Sequence, residues 1–391
     1  MAAAATATSA LTGRIVLRPG QPLPLQGGRP VLAPRVLGRV VGGRHASLLP
    51  GLLGALFSVC GHVHRLTAQR AVAAALGHDE PPVEHARWSA LLRAHTLRDH
   101  LLRLALELPA RLPSDEALPS GWLAGAPVVA AHGGADAALS AALQRMPAWL
   151  QQQLLGREPS DWLADWHTDA RQTAVAWATT HPHPVARWHR AVAARADALC
   201  IDGHTLGLLD EADPPAALAE LAGAIARDPD FARYPSWRGL PAETGPWSRR
   251  VSAAAWQAAP TLWLRLTARI ADLAAVATDA SALRHGALPL GEGCGLAWSE
   301  MARGLLVHWV RLDGARGDAQ TARVVDCRVV APTEWNFHPE GALARWLRAA
   351  APSADDARLA ACALDPCVEC TVDGAAADAA APAPATAAAD A

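Results

Sequence analysis

Residues 304–330 open with Gly304-Leu-Leu-Val-His-Trp-Val-Arg-Leu312 and close with Thr321-Ala-Arg-Val-Val-Asp-Cys-Arg-Val-Val330. Both are branched apolar runs, and the stretch between them, Asp313-Gly-Ala-Arg-Gly-Asp318, is rich in turn formers. The combination predicts a β-hairpin. Downstream, Pro332-Thr-Glu-Trp-Asn336 reads as a turn and residues 341–350 as a helix. Asp365-Pro366-Cys367 then reads as the opening of a last short helix. Asp is a good N-cap, and Pro sits well at a first helical position, where its missing N–H is no loss. Upstream of residue 284 the pattern is helical. Residues 138–155, 184–200, 214–225 and 251–277 carry apolar side chains at three-and-four spacing, with Pro or Gly near their ends. The expected fold class is therefore mainly α with a small β element (α+β).

Both ends are low in complexity. Residues 1–12 and the Ala/Pro/Asp-rich residues 374–391 lack aromatic and branched apolar side chains and are expected to be disordered, leaving 13–373 as a single domain. The 391 residues carry a formal net charge of −2, with 51% hydrophobic and 18% charged residues. A near-neutral balance argues against a polyanion-binding protein, which normally has a basic face. No run of 18 apolar residues suggests a membrane span. The opening stretch lacks the basic region and leucine-rich core of a secretory signal. Seven cysteines are too few for a disulfide scaffold and odd in number, which fits a reducing, cytoplasmic setting.

The cysteines are unevenly placed. Cys367-Val-Glu-Cys370 would present two thiols on one side of a first helical turn, where the helix terminus favours thiolate. Zinc, iron–sulfur and redox roles all remain open for that pair. Cys60-Gly-His-Val-His64 places a cysteine and a histidine one turn apart if residues 56–76 are helical, with Gly77 as the stop. His181-Pro-His-Pro184 with His189 looks like a metal cluster, but its prolines force an extended loop. Gly291-Glu-Gly-Cys-Gly295 lacks the strand-to-helix context and the Gly-Lys-Ser/Thr of a phosphate loop. No Gly-x-Ser-x-Gly supports a hydrolase. The 15 tryptophans, mostly scattered through the helices, read as core.

Order along the chain adds weight to the weak motifs. Cys60 to Arg70, Glu300-Met-Ala-Arg-Gly-Leu-Leu-Val-His-Trp309, Val330-Ala-Pro-Thr-Glu-Trp-Asn336 and Asp365-Pro-Cys-Val-Glu-Cys370 follow one another. This set resembles the large subunit of [NiFe] hydrogenases, and the resemblance implies a large-subunit-like helical domain with a β-hairpin in its C-terminal half. The region from about 80 to 285 matches by helical character alone. In that family each end supplies a cysteine pair. The second cysteine of each pair bridges nickel and iron, and the first binds nickel alone. By that pattern Cys60 and Cys370 are the bridging thiolates and Cys367 a nickel-only one. Arg303 and Asp365 match the family's arginine and aspartate around the metals, and His64 the histidine closing the first motif.

The departures matter as much. The family's Arg-x-Cys-Gly-x-Cys is Ala55 to Cys60 here, with Ala55 for the arginine and Phe57 for the first cysteine. Asp373 stands where the second motif ends in histidine, the residue after which the family's C-terminal extension is removed. Neither a Glu-Gly-His near the N-terminus nor an Arg-Gly-x-Glu before the cysteine motif is present. Both iron ligands are kept while nickel loses one of four, and phenylalanine cannot ligate. The resemblance is thus to the accessory HupK/HoxV-type branch, and implies a non-catalytic maturation scaffold. It would hold an Fe(CN)2(CO) unit transiently, with nickel not expected. The implied partners are a hydrogenase large subunit precursor, a small HypC-type maturation chaperone and its iron–sulfur partner, with no nucleic acid and no membrane. Two rivals stay open: a divergent nickel-dependent hydrogenase, and a zinc or partner-binding module using Cys60, His64, Cys367 and Cys370.

Overall fold

A computed structural model describes residues 13–111, 118–251, 260–313 and 318–373. The two terminal stretches expected to be disordered lie outside the described residues, as do residues 252–259 of the predicted helix at 251–277.

The predicted hairpin is one side of a four-stranded antiparallel sheet, order β5-β6-β7-β8, formed by His285–Gly291 (β5), Cys294–Met301 (β6), Gly304–Asp313 (β7) and Arg323–Val330 (β8), and separate from the short parallel pair β3 (His204–Thr205) and β4 (Ala242–Glu243). The strands of its centre are apolar almost without alternation because both faces are covered. Ala297, Met301, Leu306 and Val310 join the main core. Leu296, Leu305, Val307 and Trp309 pack instead into a second core under the helix Pro214–Arg227, with Leu218, Leu221 and Ile225. The glycine-rich stretch at 291–295 is the β5–β6 turn. Glu292 and Gly293 both have positive φ (51° and 73°), as a two-residue hairpin needs to match strand twist. The β6–β7 turn pairs Met301 with Gly304 and so places Arg303 at a tight corner.

Across the inner face of this sheet lies α2 (Gly61–Ala75), which follows α1 (Leu49–Leu56) after a kink at Phe57 and a short 3-10 turn at Ser58–Cys60. The expected continuous helix over 56–76 is therefore two pieces, and Cys60 is the N-cap of the second. Gly295 of β6 lets the helix approach. A Cβ there would sit 2.5 Å from the Ala71 carbonyl oxygen and overlap the Ala75 nitrogen, both backbone atoms. Gly295→Ala is expected to lower stability by about 1–3 kcal/mol through overpacking, read from urea unfolding, and a change near zero would contradict the tight helix–sheet contact.

The other helices form a bundle around α4 (Leu262–Thr278), started by the Thr261 side chain accepting from the Leu264 N–H at 3.2 Å. Nearly every residue of α4 is buried, including Arg265, Arg269 and Asp272, a charged stripe at helical spacing. Around it pack α3 (Pro82–Leu102) and two of the predicted helices, now bounded as Asp136–Leu150 and Pro184–Ala196, while the third, Pro214–Arg227, covers the second core. None of the described helices is long and apolar enough to cross a membrane.

Near the C-terminus, Pro332–Asn336 forms one helical turn (α5) rather than a non-helical turn, followed by α6 (Ala342–Ala350) and α7 (Ala354–Leu364). The expected last helix opened by Asp365 is absent. Asp365 instead closes α7 in the left-handed conformation at φ 53°, and the chain continues as a strand, β9 (Glu369–Val372). That strand lies parallel to β1 (Arg14–Leu17), which pairs antiparallel with β2 (Leu25–Gly28). Cys370 is thereby set beside Ile15, joining the two ends of the described chain in one sheet. Asp373 reinforces the seam, its N–H donating to the Leu17 carbonyl and its carboxylate accepting from Arg18 Nε at 2.9 Å.

Candidate metal centre

Two short connecting segments meet in the interior. The 3-10 turn before α2 carries Cys60, and the loop after Asp365 carries Cys367. Their Sγ atoms are 3.4 Å apart and both residues are buried. With metal–sulfur bonds of ~2.3 Å, two sulfurs 3.4 Å apart subtend about 95° at one ion, so the pair has the spacing of cis ligands. The Cys367 loop is held from outside: its N–H donates to Thr333 Oγ1 at 3.0 Å. Asn336 Nδ2 donates to the carbonyls of Leu364 (3.2 Å) and Thr244 (2.9 Å), and Asn336 Oδ1 accepts from the Thr244 N–H. The Pro-Thr-Glu-Trp-Asn motif is thus a clamp for the cysteine loop. Cys370, three residues beyond Cys367, is half-buried on β9.

The thiols titrate as a unit. The hydrogen bond from Cys60 is the largest influence on Cys367 and favours its thiolate. Burial opposes it, and the positive charge of Arg303 and Arg29 supports it, the balance bringing that thiol down to about 7. The same hydrogen bond, with burial, holds the Cys60 proton well above the ordinary thiol range. The pair therefore favours one thiolate stabilised by one thiol.

Phe57, in the position of the missing cysteine, is buried. Its ring stacks on His64, centroids 4.1 Å apart and planes within 9°, and the Arg29 guanidinium lies 5.3 Å from its centroid. His64 is not turned to the sulfurs by any hydrogen bond; its Nδ1 meets His308 Nε2 at 3.1 Å. Burial first, then His308 and Arg29, hold His64 neutral. Arg29 is fixed by a buried bidentate pair with Glu334, Nε to Oε1 at 2.7 Å. Sequence reading missed Arg29, whose partner is 305 residues away.

Arg303 and Asp365 do pair, and in the interior rather than at the surface: Nε to Oδ1 is 3.3 Å, and both side chains are under 5% exposed. They belong to a larger network. Asp365 also accepts from Arg269 Nη1 at 2.8 Å and forms an ion pair with Arg103, whose Nε lies 2.9 Å from Oδ1 without hydrogen-bond alignment. Burial alone would raise this carboxyl, but Arg103, Arg303 and Arg269 together hold it far below the usual carboxylate range. Glu107 pairs with Arg103 and lies 3.7 Å from Arg303. Arg269 Nη1 donates to His100 Nδ1 at 3.3 Å, and His100 Nε2 donates to Asp272 at 2.6 Å. Asp272 in turn is held by Arg249 and Arg250. A cavity of ≈ 10 Å³, about the size of one water, borders Arg265, Arg269, Arg303, Asn336 and Asp365. Among the described residues, Arg103 Nη2 and Arg269 Nε are buried with no hydrogen-bond partner, so the network has donor capacity to spare for an anionic or polar guest. Arg103, Arg269, Glu107 and Asp272 gave no local signal, since each reads as an ordinary helical surface charge.

The histidines at 181, 183 and 189 do not form a site. His183 caps its helix by accepting from the Val185 N–H, and His189 is buried against Trp177 and Trp188.

No family model matches the chain. Among curated proteins it is 40% identical to the hydrogenase expression/formation protein HoxV of Cupriavidus necator over 394 residues, covering 94% of this chain and 97% of that protein. It is 31% identical over 362 residues to the hydrogenase expression/formation protein HupK of Rhizobium leguminosarum bv. viciae, covering 86% and 89%. To the hydrogenase expression/formation protein HupV of Azotobacter chroococcum it is 32% identical over 345 residues, covering 85% and 89%. Among solved structures, a chain of the [NiFeSe]-hydrogenase of Dm. baculatum is similar with a TM-score of 0.49 and 13% identity, covering 85% of this chain and 91% of that one. The four-motif order, its lost positions and the 31–40% identity to these relatives over 85–94% of the chain agree: the chain belongs to the hydrogenase expression/formation proteins of the HoxV/HupK kind, degenerate accessory relatives of the [NiFe] hydrogenase large subunit.

Proposed function

We propose that this accessory protein of hydrogenase maturation is a non-catalytic carrier, receiving an Fe(CN)2(CO) unit as cargo and passing it to a hydrogenase large subunit precursor. The iron would sit on Cys60 and Cys370 by the family's pattern, with Cys367 beside them. The observation that carries the reading is the buried Cys60–Cys367 sulfur contact of 3.4 Å, with Arg29 and Arg303 favouring thiolate and Phe57 filling the adjacent ligand position. Cyanide ligands make the cargo anionic, and buried guanidinium donors suit it. A site with few protein ligands also suits release. A thiolate of the recipient forms an iron–sulfur bond as one here breaks, the leaving thiolate takes up a proton, and the iron keeps its oxidation state. A small HypC-type chaperone with its iron–sulfur partner would deliver the unit in the cytoplasm.

The test is metal content of protein purified anaerobically from cells that also make the maturation machinery. Iron without nickel is expected, falling to background in Cys60→Ala with Cys370→Ala. Zinc in place of iron would instead favour a zinc module. Nickel together with hydrogen uptake would make the chain a divergent hydrogenase.

A further inference from the structure

On the surface side of the same helical turn that buries Cys60, three histidines from separate segments converge. His62 lies in the first turn of α2, His95 in the middle of α3, and His132 in the turn after the helix Pro127–Ala130. One ring nitrogen of each lies within 4.8 Å of one of each other ring. The His62 and His95 rings are stacked, centroids 4.4 Å apart and planes within 12°. His132 stands edge-on to both, at 5.0 and 5.9 Å. His62 and His132 are exposed and His95 is half-buried, so the group opens to solvent. Packing alone does not call for three imidazoles at an open surface.

We infer that His62, His95 and His132 form a surface site for one divalent late first-row transition ion, separate from the buried cysteines. Nitrogen ligands at ~2.1 Å around a tetrahedral ion lie about 3.4 Å apart, so binding requires the nitrogens to close in and the stacked His62 and His95 rings to turn out of parallel, since imidazole coordinates in its ring plane. An all-imidazole set selects zinc, nickel, copper or cobalt over magnesium or calcium, which prefer oxygen. Three ligands leave one position of a tetrahedral ion open. Among the described residues no carboxylate joins the group, and Arg98 and Arg65 bring positive charge to its edge, acting on His62. The bound ion therefore keeps its charge uncompensated by protein, which weakens the site and makes it exchangeable. The same arginines suit an anionic fourth ligand. A weak, open site of this kind is one for acquiring and releasing an ion.

The experiment is anaerobic titration of the iron-free full-length protein with Co2+, following visible ligand-field bands and near-ultraviolet thiolate-to-metal charge transfer. The site predicts one equivalent with tetrahedral bands and no thiolate charge transfer, kept in Cys60→Ser with Cys367→Ser. His132→Ala and His62→Ala, both at exposed positions, should each weaken binding at least roughly 10-fold, the low end of what losing even an outer-shell partner costs a metal site. Circular dichroism checks that the variants fold. Failure to bind at millimolar Co2+, binding carried wholly by thiolates, or affinity unchanged in His132→Ala would each overturn the site.

Discussion

Asp365→Asn will destabilise the protein by about 3–5 kcal/mol, the usual cost of removing one partner from a buried ion network. The substitution keeps size and shape, and asparagine tolerates the left-handed backbone at φ 53° as well as aspartate does. What it removes is the charge shared by Arg103, Arg269 and Arg303, all almost fully buried. None of the three guanidiniums can lose its proton at accessible pH, so each is left with less compensation in a low-dielectric interior. Against a typical stability of about 5–15 kcal/mol this is a large fraction. Urea unfolding followed by tryptophan fluorescence measures it. A loss below about 1 kcal/mol would mean that the arginines find other partners and that Asp365 does not organise the interior.

The second large effect is acid sensitivity above the carboxylate range. Burial pushes His308 and His189 down to about 3, the latter helped by Arg269. Burial takes His100 down to about 4 although Asp272 resists, since its Nδ1 already accepts from Arg269 and a proton there would face that cation. A base whose folded pKa lies below its unfolded value of ~6.5 contributes stability that is complete above 6.5 and is lost as pH falls. At pH 5 each of these histidines costs about 2 kcal/mol, or about 6 kcal/mol together. Asp99 works in the opposite direction. Burial raises it to about 6, outweighing Arg303 and Arg98, so taking up a proton returns about 1 kcal/mol by pH 5. These four groups together predict a loss of about 4–5 kcal/mol between pH 7 and 5, to which His64, also held neutral by burial, adds in the same direction. Unfolding midpoints measured across that range test it, and a profile flat to within about 1 kcal/mol would contradict neutral, buried histidines.

Much of this interior was legible in the sequence, and the reasons for the rest are physical. The β7–β8 hairpin announced itself through branched apolar runs on either side of a turn-rich stretch; β7, covered on both faces, is apolar almost throughout, and β8 buries alternate residues. Their neighbours β5 and β6 did not. Pro289 is tolerated because β5 is an edge strand, and Gly295 is required by the approach of α2, yet both residues read as loop. β9 was misread as a helix opening because Asp-Pro is a good local helix start. Its strand conformation comes from pairing with β1, more than 350 residues away, which no local pattern encodes. The ordered motifs marked Cys60, Cys367, Cys370, Arg303 and Asp365, and the lost position at Phe57. They could not show that Arg29 and His64 both pack on that ring. Arg265, Arg269 and Asp272 looked like the solvated stripe of an amphipathic helix. Only packing reveals Arg269 and Asp272 as members of the internal charge network around Asp365, and Arg265 as the buried partner of Glu243.

The most direct measurement is the infrared spectrum of anaerobically purified protein, produced together with the iron-delivering maturation proteins. The account predicts cyanide and carbonyl stretching bands in the wild-type protein, lost in Cys60→Ala with Cys370→Ala and retained in His132→Ala. Absence of those bands from the wild-type protein, or their survival without both thiols, would contradict the carrier role.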